Sequence, residues 1–185
     1  MGHYRIFGKT KDFITGKEIL DTDDERMRQK IARFLVEVKG YSREDIEVKR
    51  EIELICVNEK AVSIVDFVVK ISDKRFIVIR YGPGSLVTRE RAALAAARIL
   101  ETYQIPLTIV TNGEEAEILD TITGDVISTG LKSIPSKAQA QEQIETMHFK
   151  DLSPKKLEAE KRILFAFDAL EHSCECDDDF CITTL

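Results

Sequence analysis

The sequence predicts one α/β domain: a mixed sheet sandwiched between helices, with an added C-terminal helix and a cysteine-rich tail. Three observations carry this. The 185 residues, 43% hydrophobic and 32% charged, suit a single core under a solvated surface. Three apolar runs rich in β-branched residues follow one another between Ile46 and Ile79. Segments with apolar residues at helical spacing flank those runs on both sides.

The first clear element opens at Asp21-Thr22-Asp23-Asp24-Glu25, where acids and a capping residue oppose a helix dipole and satisfy its free amides. Met27, Ile31, Phe34, Leu35 and Val38 then share one helical face, and Gly40 ends it. From Ile46 the period becomes two, through Val48, Ile52, Leu54 and Cys56, as in a half-buried strand. Val62 to Val69 and Phe76 to Ile79 are nearly continuous apolar runs, expected as central strands covered on both faces. Thr88 starts an alanine-rich helix with Ala92, Ala96, Ile99, Leu100 and Tyr103 on one side. Leu107 to Val110 forms a further strand, Asn112-Gly113 turns the chain into Ala116 to Leu119, and Val126-Ile127 is a short edge strand. The polar segment 133–143 reads as a connector. Ser153-Pro154 opens a last helix docked by Leu157, Leu164 and Phe165 or Phe167. The expected divisions are an N-terminal extension at 1–20, the α/β core at 21–130, a connector and helix at 131–170, and an acidic tail at 171–185.

Charge is unevenly spread. The net value is -6, of which residues 171–185 alone supply five uncompensated acids. Residues 26–50 hold eight basic side chains against four acids. Arg26, Arg28, Lys30, Arg33, Lys49 and Arg50 are the candidate phosphate contacts there, against the plainer reading of a solvated helix face. Binding of DNA or RNA through them is expected to be weak and steeply salt-dependent. No apolar run approaches the ~18–20 residues of a membrane span. Charges close to the N-terminus leave no secretion-signal core, so the expected compartment is the cytoplasm. Gly82-Pro83-Gly84 lacks the Lys-Ser/Thr of a phosphate loop, and no nucleophile elbow is present.

Several residues then come together. A helix carrying Glu25 precedes a hairpin containing Ile64-Val65-Asp66-Phe67-Val68-Val69. A strand ending in a Gly-Pro turn, an alanine-rich helix and Ile109-Val110-Thr111-Asn112-Gly113 follow. Over about residues 20 to 128 this order resembles the N-terminal domain of type I restriction enzyme R subunits, and through it the PD-(D/E)XK nucleases. The resemblance implies a restriction-endonuclease-like fold and a divalent metal, most often Mg2+, held by an Asp and by the Glu of Glu-x-Lys on the next strand. Asp66 matches the Asp, and Glu25 is a possible further metal ligand or simply a dipole-complementing acid. The Glu-x-Lys position instead reads Arg80-Tyr81-Gly82. The resemblance therefore implies a degenerate site in which Arg80 pairs with Asp66 across adjacent strands. A relocated acid (Glu51, Glu53 or Glu90), with Lys49 or Lys70 as the base, is the alternative that would keep an endonuclease.

The last twelve residues hold Cys174, Cys176 and Cys181, with His172 just before them. These are candidate ligands for Zn2+ or an iron–sulfur cluster, against a reading as reduced, solvent-facing thiols. Three functions follow: a nucleic-acid- or protein-binding module on a degenerate nuclease fold, a metal-dependent endonuclease with a relocated acid, or a small metal-binding protein organised by the tail. Sequence leaves the oligomeric state open.

Overall fold

The computed structural model describes residues 5–56, 59–147 and 149–172. Strand β1 (Ile6–Lys11) pairs antiparallel with β2 (Glu18–Thr22) in a separate ribbon, and α1 (Asp23–Arg33) follows at once. Thr22 caps α1 by accepting from the Glu25 amide, and a π-helical turn over Phe34–Val38 continues it. The main sheet has β3 (Ile46–Cys56), β4 (Glu59–Ile71), β5 (Lys74–Tyr81), β6 (Leu107–Thr111), β7 (Ala116–Asp120) and β8 (Val126–Thr129), side by side in that order. Only β5 and β6 are parallel, because α2 (Val87–Ile99) crosses between them. Helices α3 (Lys137–Thr146) and α4 (Pro154–His172) complete the chain. This mixed sheet between helices fits the expected restriction-endonuclease-like architecture.

Each sheet face has its own core. On one, Ile31, Ala32 and Leu35 from α1 and its extension meet Phe67, Val69, Ile77, Ile79 and Ile109, with Ala140 of α3 alongside. On the other, the small side chains Ala92, Ala95 and Ala96 let α2 lie close to Val68 and Val78, and Leu164 brings in α4. Ser72 and Asp73, with φ of 48° and 64°, form the two-residue turn between β4 and β5.

The structure differs from expectation in three elements. Residues expected as an N-terminal extension contain the β1–β2 ribbon, and Ile14 in the connecting turn joins the core. Part of the expected connector is helix α3, started by a reciprocal Ser136–Gln139 capping box. In α4 the expected Leu164 and Phe165 do dock, but Ile163 joins them and the alternative Phe167 is 42% exposed.

Candidate functional site

The site is built where α1 packs against β3, β4 and the end of β5. Along β3 and β4 the pairing runs from Val48 with Phe67 to Arg50 with Val65, skipping Lys49 and Asp66. Lys49 sits in the left-handed region at φ 51°, uncommon for a residue with a side chain. Across this irregularity the facing of the strand inverts. Val65 packs with α2 and α4, whereas Phe67, two residues on, packs with α1. Asp66 stands at the inversion.

Its carboxylate is 6% exposed and fully engaged. Oδ1 accepts from Arg28 Nε of α1 at 2.5 Å, and Oδ2 accepts from the Tyr81 backbone amide at 2.7 Å. Arg28 Nη1 also approaches Glu25 Oε2 at 4.0 Å, so one guanidinium spans the two acids. Glu25, 5% exposed, accepts from Lys49 Nζ at 2.9 Å and from Gln29 Nε2 at 2.9 Å. Gln29 in turn donates to Asp12 at 2.9 Å and accepts from the Phe13 amide at 2.7 Å, which ties the ribbon to α1. Tyr81 closes the other side by donating its hydroxyl to Asp24 at 3.1 Å.

The electrostatics follow from this packing. Burial would lower the pKa of Arg28, but Asp66, with help from Glu25 and Asp24, raises it. The Tyr81 phenol is pushed up to about 12, by burial first and then by Asp24. Asp12 is also hindered by burial, yet hydrogen bonds from Thr15 and Gln29 hold it below the ordinary carboxylate range.

The expected Asp66–Arg80 contact is not made. Arg80 donates through Nη2 to Asp168 of α4 at 3.2 Å, on the opposite side of the sheet from Arg28. The regular pairing of β4 with β5 reaches Phe67 and Ile79 and stops one pair short. Strand parity expected Asp66 to share a face with Arg80 and with Val62, Ile64 and Val68. Instead Val62 and Ile64 are 40% and 42% exposed, and Val68 is buried against α2 and α4. The inversion at Lys49 and Asp66 is the reason. A glutamate at position 80 would therefore face Asp168 rather than Asp66.

Among the relocated acids considered, Glu51 and Glu53 project from β3 as exposed residues, and Glu90 lies against Glu117. Lys70 leans toward Glu47 at 3.9 Å. Among the described residues no group of three or more His, Cys, Asp or Glu side chains could hold a metal ion. The set around Asp66, two carboxylates already engaged by the cations of Arg28 and Lys49, does not fit a magnesium ion. Of the proposed tail ligands, Cys174, Cys176 and Cys181 lie outside the described residues, and His172 is described only as backbone at the end of α4.

Most of the basic stretch is already paired. Arg26 binds Asp21 with 2.7 Å contacts and lies 3.7 Å over the Phe7 ring. Arg33 approaches Glu37 at 3.6 Å, Arg50 approaches Glu47 at 3.3 Å, and Lys49 holds Glu25. Lys30 is exposed on the outer side of α1. Arg28, read from sequence as a phosphate contact, is the side chain that occupies the Asp66 carboxylate. Spacing alone gave one signal for this: Glu25 and Arg28, three apart, lie on the same helix face.

A family model described as type I restriction enzyme R protein N terminus matches residues 23–135, more than half of the chain. Neither the curated proteins nor the solved structures compared with the chain give a match. Among the described residues no helix is long and apolar enough to cross a membrane.

Proposed function

The chain belongs to the type I restriction enzyme R protein N-terminal family, and on that premise we propose that it binds nucleic acid weakly and does not cleave it. The observation that carries this reading is the Arg28 guanidinium spanning Asp66 and Glu25. A metal-dependent nuclease needs those carboxylates open to a hydrated dication, which polarises the phosphate and activates water. Here a cation of the chain itself neutralises them, and it has no Lewis acidity to offer. Arg80 adds nothing to this reading, because it faces Asp168 on the other side of the sheet. The exposed Lys30, together with the exchangeable surface pairs of Arg26, Arg33 and Arg50, supplies the phosphate contacts. Each such contact must first give up an internal carboxylate, which keeps the affinity low.

Incubation of supercoiled plasmid with the protein and Mg2+ or Mn2+ tests the reading. The expected result is no nicking above that of Asp66→Asn. Nicking that disappears in Asp66→Asn would establish the endonuclease with a relocated acid instead.

A further inference from the structure

On the side of the sheet away from Asp66, a partly open cavity of about 50 Å³ lies between the end of β5, the first turn of α2 and α4. Among the described residues, Arg80 and Arg89 line it together with the acid Asp168 and the apolar Phe167. Within these two arginines, Arg80 Nη1 and Arg89 Nε are buried without a hydrogen-bond partner. Charged donors removed from water are costly to leave unmatched, so each calls for an acceptor.

The protein's own acceptors are already spent elsewhere. Asp168 takes Arg80 Nη2, at 3.2 and 3.3 Å, and the Pro83 carbonyl takes Arg89 Nη2 at 3.1 Å. Gly82 makes the arrangement possible. A Cβ at that position would stand 2.3 Å from Arg89 Cζ, so the guanidinium occupies the volume of the missing side chain.

We propose that this cavity binds a phosphoryl oxyanion. Among the described lining residues, two guanidinium groups outnumber one carboxylate, and planar forks match the edges of a tetrahedral anion. A water needs about 10–15 Å³ of cavity, so the space holds a few waters or one small oxyanion, and any attached sugar stays outside. Phe167 and Asp168 of the pocket lie outside the matched segment 23–135. The pocket goes beyond the nucleic-acid reading above, and it shares no residue with the Arg28–Asp66 pair.

The test is calorimetric titration of the full chain with inorganic phosphate at fixed ionic strength, with a chelator present so that no metal contributes. Saturable binding is expected, weakened about tenfold or more in Arg89→Gln through loss of a charge-assisted contact. Gly82→Ala should weaken it likewise by displacing Arg89. If either variant unfolds, Arg89→Lys keeps the charge but not the fork and should also bind less tightly. A second arm compares 5′-phosphorylated with 5′-hydroxyl oligonucleotides. Tighter binding of the phosphorylated form, lost in Arg89→Gln, identifies a nucleic-acid end as the source. Equal binding of the two, with phosphate binding retained, identifies a free phosphate. Phosphate binding that is undetectable, or unchanged in Arg89→Gln, overturns the site and leaves the plasmid result untouched.

Discussion

Replacing Arg28 with alanine removes the cation that neutralises Asp66, and its cost follows from the geometry. Breaking a fully buried ion pair by deleting one partner costs about 3–5 kcal/mol, because a desolvated charge is left behind. Exposed pairs are worth about 0–1 kcal/mol. The Asp66 side chain is 7% exposed and that of Arg28 26%, which places this pair nearer the buried limit. One Asp66 oxygen keeps the Tyr81 amide, so part of the charge stays solvated by the protein. Together these give a destabilisation of about 2–3 kcal/mol for Arg28→Ala. For a chain of this size that corresponds to a fall in Tm of roughly 5–10 °C. Asp66→Asn should cost less, about 1 kcal/mol, since the partly exposed guanidinium can turn to water and to Glu25. Urea unfolding of both single variants and the double variant measures this, with the midpoint shifting at constant slope. The cycle should give a coupling of about 1 kcal/mol or more. A cost for Arg28→Ala below about 0.5 kcal/mol, or strictly additive variants, would refute the bridging role.

Three further outcomes follow from contacts elsewhere in the fold. Asp12 and Asp45 both have lowered pKa values although burial acts to raise them, Asp45 through Lys137 and Ser42. The stability they supply is complete above the unfolded value near 3.8 and lost as pH falls through their folded values, so acid unfolding should set in below about pH 4. Asp12→Asn should flatten that loss in pH-dependent denaturation. Ser136→Ala removes the α3 cap at a cost of about 1 kcal/mol, and hydrogen exchange should quicken first in α3. Nucleic-acid affinity measured by fluorescence anisotropy should fall steeply between low and moderate salt, and Lys30→Ala should reduce the steepness of that dependence.

Much of this architecture is legible in the residues. The helical spacing of Ile31 and Leu35, the continuous runs in β4 and β5, and the Asn112-Gly113 turn each place an element that the structure contains. The β1–β2 ribbon escapes because five of the six β1 residues are exposed, so no alternation marks it. Helix α3 buries only Ala140, too little for an apolar stripe, and its one local signal is the pair Ser136 and Gln139. The site is legible by residue and not by pairing. Asp66 and Glu25 are both buried beside one another's partners. Arg80 is misplaced because parity assumes an uninterrupted ladder, and a lysine carries no sign that its backbone will turn left-handed. The guanidinium that meets Asp66 comes from a helix thirty-eight residues earlier, beyond the reach of strand counting.

Mn2+ binding at Asp66 bears most directly on the claim that Arg28 stands where a metal would be needed. Titration of the wild-type protein and of Asp66→Asn, followed by the electron paramagnetic resonance of free Mn2+, separates the alternatives. If Arg28 keeps the carboxylate closed, the two proteins give identical curves. Binding by the wild type that Asp66→Asn abolishes would mean that the carboxylate releases Arg28 to take a metal, and would contradict that claim.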